Sequence, residues 1–238
     1  MAAICAFKLL LTFALTTAPD EEHAKPVDSP PHASFFIRNE YTRGNDRGGT
    51  MTDRGKTEST SRAEEENVLV IVDVQNDFVT GALGSEDAAA VTDAIIERAA
   101  RFEGTVMLTQ DTHEEDYLGT QEGRRLPVEH CLRGSWGWQL VDGLQKLAES
   151  RNWKTYEKPT FGSVELARDL AARHEQRPFA SVELIGFCTD ICVVSNALLI
   201  KAFLPDVPVK VDAALCAGVT PASHAAALST MASCQIDC

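Results

Sequence analysis

Residues 181–192 read Ser181-Val182-Glu183-Leu184-Ile185-Gly186-Phe187-Cys188-Thr189-Asp190-Ile191-Cys192. The first five resemble a strand, and apolar positions recur at helical spacing between Val193 and Phe203. We therefore predict a strand, a tight turn and a helix that Thr189 or Asp190 caps through a side-chain oxygen. Cys192 would lie in the first helical turn, where free N–H groups and the helix dipole favour a thiolate. The turn alone leaves a buried structural cysteine open as the alternative.

The same alternation of strand and helix extends over residues 67–238. Val68-Leu69-Val70-Ile71-Val72 is a continuous apolar run typical of a strand buried on both faces. Further strand patterns occur at 105–109, 154–157 and 208–212, and helical patterns at 86–102, 136–150, 163–174 and 220–233. We predict one α/β domain over 67–238, a three-layer αβα arrangement around a mainly parallel, roughly six-stranded sheet.

Residues 1–66 have a different composition. After one short apolar run at 9–15, the segment is rich in Pro, Ser, Thr, Gly and charged residues without a sustained period, which predicts a disordered extension. Residues 1–18 resemble a weak signal peptide, although Lys8 is their only basic residue. We favour Met51 as the working start or a dispensable extension, with a true signal peptide and secretion as the alternative.

Composition excludes several classes of partner. The formal net charge of −13 over 238 residues argues against nucleic-acid binding, and the apolar run near the amino terminus is too short to span a membrane. Seven cysteines, an odd number in a chain of this length, do not suit a secreted disulfide framework. We therefore expect reduced thiols and a cytoplasmic protein.

Four predicted strands end in a residue capable of chemistry. They are Asp73, Asp111, Lys158 and the turn that contains Cys192. In a parallel α/β sheet these ends converge on one edge. A lysine beside a cysteine lowers the thiol pKa, and a nearby carboxylate can move its proton. Taken singly, each Asp could be a turn former and the Lys a solvated surface charge.

The loop after the second strand carries a second group of polar residues, Asp111, His113, Glu122 and His130. Carboxylate and imidazole are ligands of divalent transition metals, zinc included. Long loops in compact domains are usually functional. We predict a metal site here, with a polar surface loop as the alternative.

Together these segments resemble the isochorismatase-like cysteine hydrolases, and within them the nicotinamidases. The resemblance covers about residues 67–238. It rests on Asp73-Val74-Gln75-Asn76-Asp77-Phe78, Asp111-x-His113, Lys158-Pro159-x-Phe161 and Gly186-x-x-Thr189-Asp190-x-Cys192, in this order.

The resemblance implies roles for single residues. Asp73, Lys158 and Cys192 match the catalytic triad of the family, and the backbone N–H groups of Cys188 and Cys192 match its oxyanion hole. A non-proline cis peptide is implied at Phe187–Cys188. The implied metal ligands are Asp111, His113 and His130, with Glu122 as a further carboxylate, for a divalent ion that is zinc, iron or manganese. Phe78 and Leu126 are implied to contact the substrate.

The resemblance also implies an activity. Cys192 argues against isochorismate chemistry, whose enzymes lack this cysteine, and the metal group favours a nicotinamide-type substrate. We expect an amidohydrolase that deaminates nicotinamide through a thioester, with the metal orienting the substrate ring, in a homo-oligomer. Leu126-Pro127-Val128-Glu129-His130 departs from the aromatic-Pro-Pro-His pattern of nicotinamidases. A cysteine amidase for another small amide, a non-catalytic metal-binding module and a thiol redox protein that uses Cys188 and Cys192 are the alternatives.

Overall fold

The structure is a computed structural model and describes residues 65–238. The predictions for residues 1–64 lie outside this range. The strands are β1 (Glu66–Val72), β2 (Thr105–Asp111), β3 (Lys154–Lys158), β4 (Phe179–Phe187) and β5 (Val209–Ala217). The helices are α1 (Asn76–Val79), α2 (Glu86–Arg101), α3 (Gln121–Arg125), α4 (Asp142–Arg151), α5 (Val164–Gln176), α6 (Val194–Phe203) and α7 (Pro221–Ser233). A 3₁₀ turn spans Tyr117–Gly119, and a π-helical turn spans Thr189–Val193.

The five strands form one parallel sheet in the order β3-β2-β1-β4-β5. The predicted α/β class with a parallel sheet is confirmed, but over residues 65–238 the sheet has five strands rather than about six. Beside β5, Asp237 makes one isolated parallel bridge to Lys210. Gln235, two residues before Asp237, has a left-handed φ of 64°, so the chain turns shortly before this bridge.

The core lies on both faces of the central strand β1. Val68, Val70 and Val72 pack against helices α5, α6 and α7. Leu69 and Ile71 point the other way and pack against α1, α2 and α4. All five side chains have 0% exposure. Because both faces are covered, this strand is a continuous apolar run rather than an alternating one, and the three-layer prediction is confirmed.

One predicted helix begins later than the sequence suggested. Apolar spacing favoured a helix from Trp136, whereas α4 begins at Asp142. The intervening residues accept hydrogen bonds from the start of α1, with Asn76 N donating to Gln139 O and Asp77 N to Gly137 O. These bonds hold 136–141 against the carboxyl end of β1, and this tertiary contact overrides the local periodicity.

Across residues 65–238, none of the helices combines the length and the apolar character that crossing a bilayer requires.

Gly186 on β4 lies where this strand comes very close to the backbone of β1. Its φ is 121°, and a Cβ at this position would lie 2.1 Å from Val72 O. We expect Gly186→Ala to lower the free energy of unfolding by roughly 3 kcal/mol, because it adds backbone strain to a steric clash. Urea denaturation measures the change. Gly119→Ala is the matched control, since nothing lies within 4 Å of a Cβ there. Equal unfolding midpoints for the two variants would contradict this account.

Candidate active site

Four of the five strands bring a functional side chain to the same edge of the sheet. Asp73 directly follows β1, Asp111 and Lys158 are the last residues of β2 and β3, and Cys192 lies in the turn after β4. Asp111 and Lys158 are also direct partners in the β2–β3 register. The structure thus brings together the four residues that the sequence placed at strand ends.

Lys158 is the centre of this cluster. Its Nζ lies 2.7 Å from Asp73 Oδ2 and 3.1 Å from Asp111 Oδ1, and it donates to Cys192 Sγ at 3.5 Å. The Lys158 side chain is 1% exposed. A buried ammonium is tolerated only when it is paired and hydrogen-bonded. The two carboxylates provide that pairing and hold the cation against the cysteine sulfur.

Asp73 is held in one orientation by its neighbours on β2. Thr109 Oγ1 donates to Asp73 Oδ1 at 2.7 Å, and Asp73 N donates to Thr109 O at 3.2 Å. The backbone of Asp73 has a left-handed φ of 50°, which is strained for a residue with a side chain. Burial raises the pKa of the Asp73 carboxyl, and Lys158 offsets part of this effect. A buried carboxylate with a raised pKa is suited to accept and return a proton near neutral pH.

The environment of Cys192 corrects the expectation of a resting thiolate. Burial raises the pKa of the Cys192 thiol well above its ordinary value, and the opposing effect of Lys158 is smaller. The sulfur is withdrawn from water, and Lys158 is already paired with two carboxylates. Burial therefore favours the thiol form of Cys192, and a nearby base has to remove its proton before the sulfur acts as a nucleophile.

The turn that carries Cys192 is held differently from the prediction. Neither Thr189 nor Asp190 caps the following helix. Asp190 Oδ1 instead accepts from Val219 N at 2.9 Å, and Thr189 Oγ1 is 2.8 Å from His224 Nδ1. Both side chains therefore tie the turn to the segment that begins α7. The peptide bond Phe187–Cys188 just before the turn is cis, as the resemblance implied.

Cys188 lies at the start of this turn and lines the same pocket as Cys192. This position agrees with the implied oxyanion hole, whose assignment stays a prediction. Burial raises the pKa of the Cys188 thiol too. All six cysteines in residues 65–238 are free thiols.

The structure places the predicted metal-binding residues around one point. One ligand atom each from Asp111, His113 and His130 lie within 4.8 Å of one another. His113 Nε2 is 3.2 Å from Asp111 Oδ2. Glu122 Oε1 lies 3.7 Å from His113 Nε2 and 3.9 Å from His130 Nε2, on the side facing the pocket, and its role as a further carboxylate ligand stays a prediction.

The donor set fits a divalent cation. His113 Nε2 is buried and has no hydrogen-bond partner in the described part of the chain. His130 Nδ1 donates to Val128 O at 2.8 Å, which leaves the Nε2 lone pair directed at the cluster. Burial lowers the pKa of His130, which keeps the imidazole neutral as a ligand requires. Two imidazoles with carboxylates suit zinc, and also iron or manganese.

A pocket joins the cysteine to the metal-binding residues. Its cavity volume is about 80 Å³, several times the roughly 10–15 Å³ that admits one water molecule. That capacity suits a small molecule rather than a polymer. No lysine or arginine of the described residues lines it. The apolar walls include the predicted contacts Phe78 and Leu126, together with Leu83, Phe161, Phe187 and Ile191.

Two residues near the site had no role in the sequence predictions. Gln75 clamps the backbone of Asp111, because its Oε1 accepts from Asp111 N at 2.7 Å and its Nε2 donates to Asp111 O at 2.9 Å. Asp77 accepts from Ala82 N at 3.0 Å and from Cys131 N at 2.8 Å. Their position just after a buried strand is the only sign in the sequence that Gln75 and Asp77 lie near the site. The sequence does not reveal the distant backbone groups to which they bond.

Comparison with known proteins identifies the class to which this fold and site belong. The isochorismatase domain family matches residues 67–237, and the chain belongs to this family. Its relatives include the nicotinamidase/pyrazinamidase of Mycobacterium tuberculosis, 29% identical over 182 residues that cover 71% of this chain and 96% of that protein. Within the family, the chain is a nicotinamidase-like hydrolase.

Solved structures share the fold. The crystal structure of the nicotinamidase/pyrazinamidase PncA from Bacillus subtilis aligns with a TM-score of 0.60 at 29% identity, covering 69% of this chain and 93% of that one. The zinc complex of the pyrazinamidase of Pyrococcus horikoshii aligns with a TM-score of 0.59 at 23% identity, covering 72% and 97% of the two chains.

Proposed function

We propose that this protein hydrolyses the amide of nicotinamide to give nicotinate and ammonia, through a thioester on Cys192. The observation that carries the proposal is a single small pocket lined at one point by Cys192 and at another by Asp111, Glu122 and His130. A substrate bound there would place one group against a nucleophile and another against a metal ion. The names of the nicotinamidase relatives support the same chemistry.

The residues of this chain perform the proton transfers. Asp73 takes the Cys192 proton as the sulfur attacks the carboxamide carbon, and returns it to the departing ammonia. Lys158 stabilises the negative charge that passes between Cys192 and Asp73, since it is within 3.5 Å of both. A water molecule activated by Asp73 then hydrolyses the thioester. The backbone N–H groups of Cys188 and Cys192 stabilise the oxyanion.

Asp111, His113, Glu122 and His130 would hold the divalent metal. When bound, the metal would supply a Lewis acid that can bind the lone pair of a ring nitrogen in the substrate. Zinc is the proposed ion, because two imidazoles and carboxylates are its ordinary ligands and because the Pyrococcus horikoshii relative is a zinc complex.

The pocket disfavours acidic substrates. Its lining carries the carboxyl groups of Asp111 and Glu122 and no lysine or arginine of the described residues. Away from the metal-binding residues, a substrate carboxylate would be desolvated there without a lysine or arginine to pair with it. Leu126 forms part of the wall where an aromatic residue is typical, so an amide other than nicotinamide is the second candidate substrate.

A panel of amides tests this proposal. We expect the metal-loaded protein to release ammonia from nicotinamide and far less from benzamide, which has the same shape but lacks the ring nitrogen. Equal rates on both would contradict a role for the ring nitrogen. Release from an aliphatic amide alone would favour the second candidate, and release from none would contradict amide hydrolysis.

Removal of one imidazole tests the metal site directly. We expect His113→Ala to weaken binding of Zn²⁺ by at least roughly 10–100-fold. A loss of this size already follows when a residue that hydrogen-bonds to a metal ligand is replaced, and His113 would be a ligand itself. Competition against a chromophoric chelator measures the affinity. Glu114→Gln is the matched control, since its side chain is 63% exposed and pairs with Arg133 outside the cluster. Equal affinities of both variants for Zn²⁺ would refute the site.

A further inference from the structure

Tyr117 is a fully buried residue beside the proposed metal site that neither the mechanism nor the proposed ligand set uses. It begins the 3₁₀ turn Tyr117–Gly119 and has 0% exposure. Its ring lies 4.6 Å from the His113 ring and 5.0 Å from the His130 ring, measured between centroids. The two imidazole rings are themselves 4.8 Å apart, so Tyr117 packs against both members of the pair.

The hydroxyl of Tyr117 reaches the pocket wall. It donates to Leu126 O at 2.9 Å, and the same carbonyl accepts from Val128 N at 2.8 Å. Val128 O in turn accepts from His130 Nδ1. A short series of hydrogen bonds therefore connects Tyr117, the Leu126 wall and the His130 ring.

We propose that Tyr117 is a positioning residue with two separable parts. Its ring sets the orientation of the His113 and His130 imidazoles toward the metal, and its hydroxyl sets the position of the Leu126 wall against the substrate. The ring part depends only on the donor set, and the hydroxyl part rests on the proposed amide hydrolysis. Neither part requires Tyr117 to touch a reacting atom.

Two substitutions separate the parts. Tyr117→Phe keeps the ring and removes the hydroxyl, whereas Tyr117→Leu removes both. Tyr156→Phe is the matched control, because Tyr156 is 2% exposed and its hydroxyl donates to Asp169 rather than to the site. Thermal unfolding of all three variants checks that each one folds.

The first readout is Zn²⁺ affinity without substrate, from competition with a chelator. We expect Tyr117→Leu to bind Zn²⁺ roughly 10–100-fold more weakly than the unmodified protein, while Tyr117→Phe and Tyr156→Phe stay within about twofold. If Tyr117→Phe retains the Zn²⁺ affinity that Tyr117→Leu loses, the ring and not the hydroxyl supports metal binding. Unchanged affinity in a folded Tyr117→Leu, or a loss in Tyr117→Phe as large as in Tyr117→Leu, would overturn the ring part.

The second readout is the split between KM and kcat on nicotinamide. We expect Tyr117→Phe to raise KM by roughly 3- to 10-fold, the effect of one neutral hydrogen bond, with kcat within about twofold. A KM equal to that of the Tyr156→Phe control, or a loss confined to kcat, would overturn the hydroxyl part. An unmodified protein that releases no ammonia would contradict the proposed function and the hydroxyl part, while the Zn²⁺ measurement still decides the ring part.

Discussion

Cys192→Ala is expected to abolish ammonia release from nicotinamide while leaving the fold intact. The substitution removes the proposed nucleophile, and loss of a nucleophile typically lowers kcat by about 10⁴-fold or more. Cys192 is 4% exposed and lies on the turn rather than at the centre of the sheet, so we expect only a modest loss of stability. Steady-state kinetics and thermal unfolding measure the two effects.

Cys216→Ala is the matched control for this experiment. Cys216 is 6% exposed on β5, in register with Gly186, and does not line the pocket. It should lose a similar side-chain volume without losing activity. Ammonia release by Cys192→Ala at a rate near that of Cys216→Ala would rule out the thioester.

Lys158→Met should combine a loss of activity with a loss of stability. It leaves the buried carboxyls of Asp73 and Asp111 without their shared cation, and breaking such a buried pair costs about 3–5 kcal/mol. The thiol pKa of Cys192 should rise further, because Lys158 lowers it in the intact site. The pH profile for alkylation by iodoacetamide should therefore move to higher pH.

Lys154→Met is the control on the same strand. The Lys154 side chain is 45% exposed and its ammonium pairs with Asp169 at the surface, where an ion pair contributes little. Urea denaturation in the presence of a chelator compares the two variants without interference from bound metal. An alkylation profile of Lys158→Met that coincides with that of Lys154→Met would contradict the role of Lys158 beside the sulfur.

The position of the site could be predicted from the sequence because strand ends in a parallel sheet share an edge. Asp73, Asp111 and Lys158 each follow a recognisable strand, and the strand order then places them side by side. Cys192 could be placed in a turn because the strand pattern before it changes to a helical pattern after it. These predictions need only local patterns and one rule of topology.

Features that depend on exact register or on burial could not be predicted. The bond from Thr109 to Asp73 requires knowing that Val72 pairs with Thr109, and no local pattern contains that register. The raised thiol pKa of Cys192 follows from its burial, which only the folded structure reveals. The late start of α4 could not be predicted for the same reason, since it is caused by hydrogen bonds to residues 60 or more positions earlier.

The most important prediction is that hydrolysis of the amide depends on one cysteine. The most direct test measures ammonia release from nicotinamide by the metal-loaded full chain, with and without prior iodoacetamide treatment. We predict steady turnover by the untreated protein and complete loss of turnover after alkylation. Nicotinamide should protect the protein against this inactivation, and peptide mass spectrometry should find the carboxamidomethyl group on Cys192. Turnover that persists after Cys192 is fully alkylated would contradict the role of this cysteine, and no ammonia release by the untreated protein would contradict hydrolysis of nicotinamide.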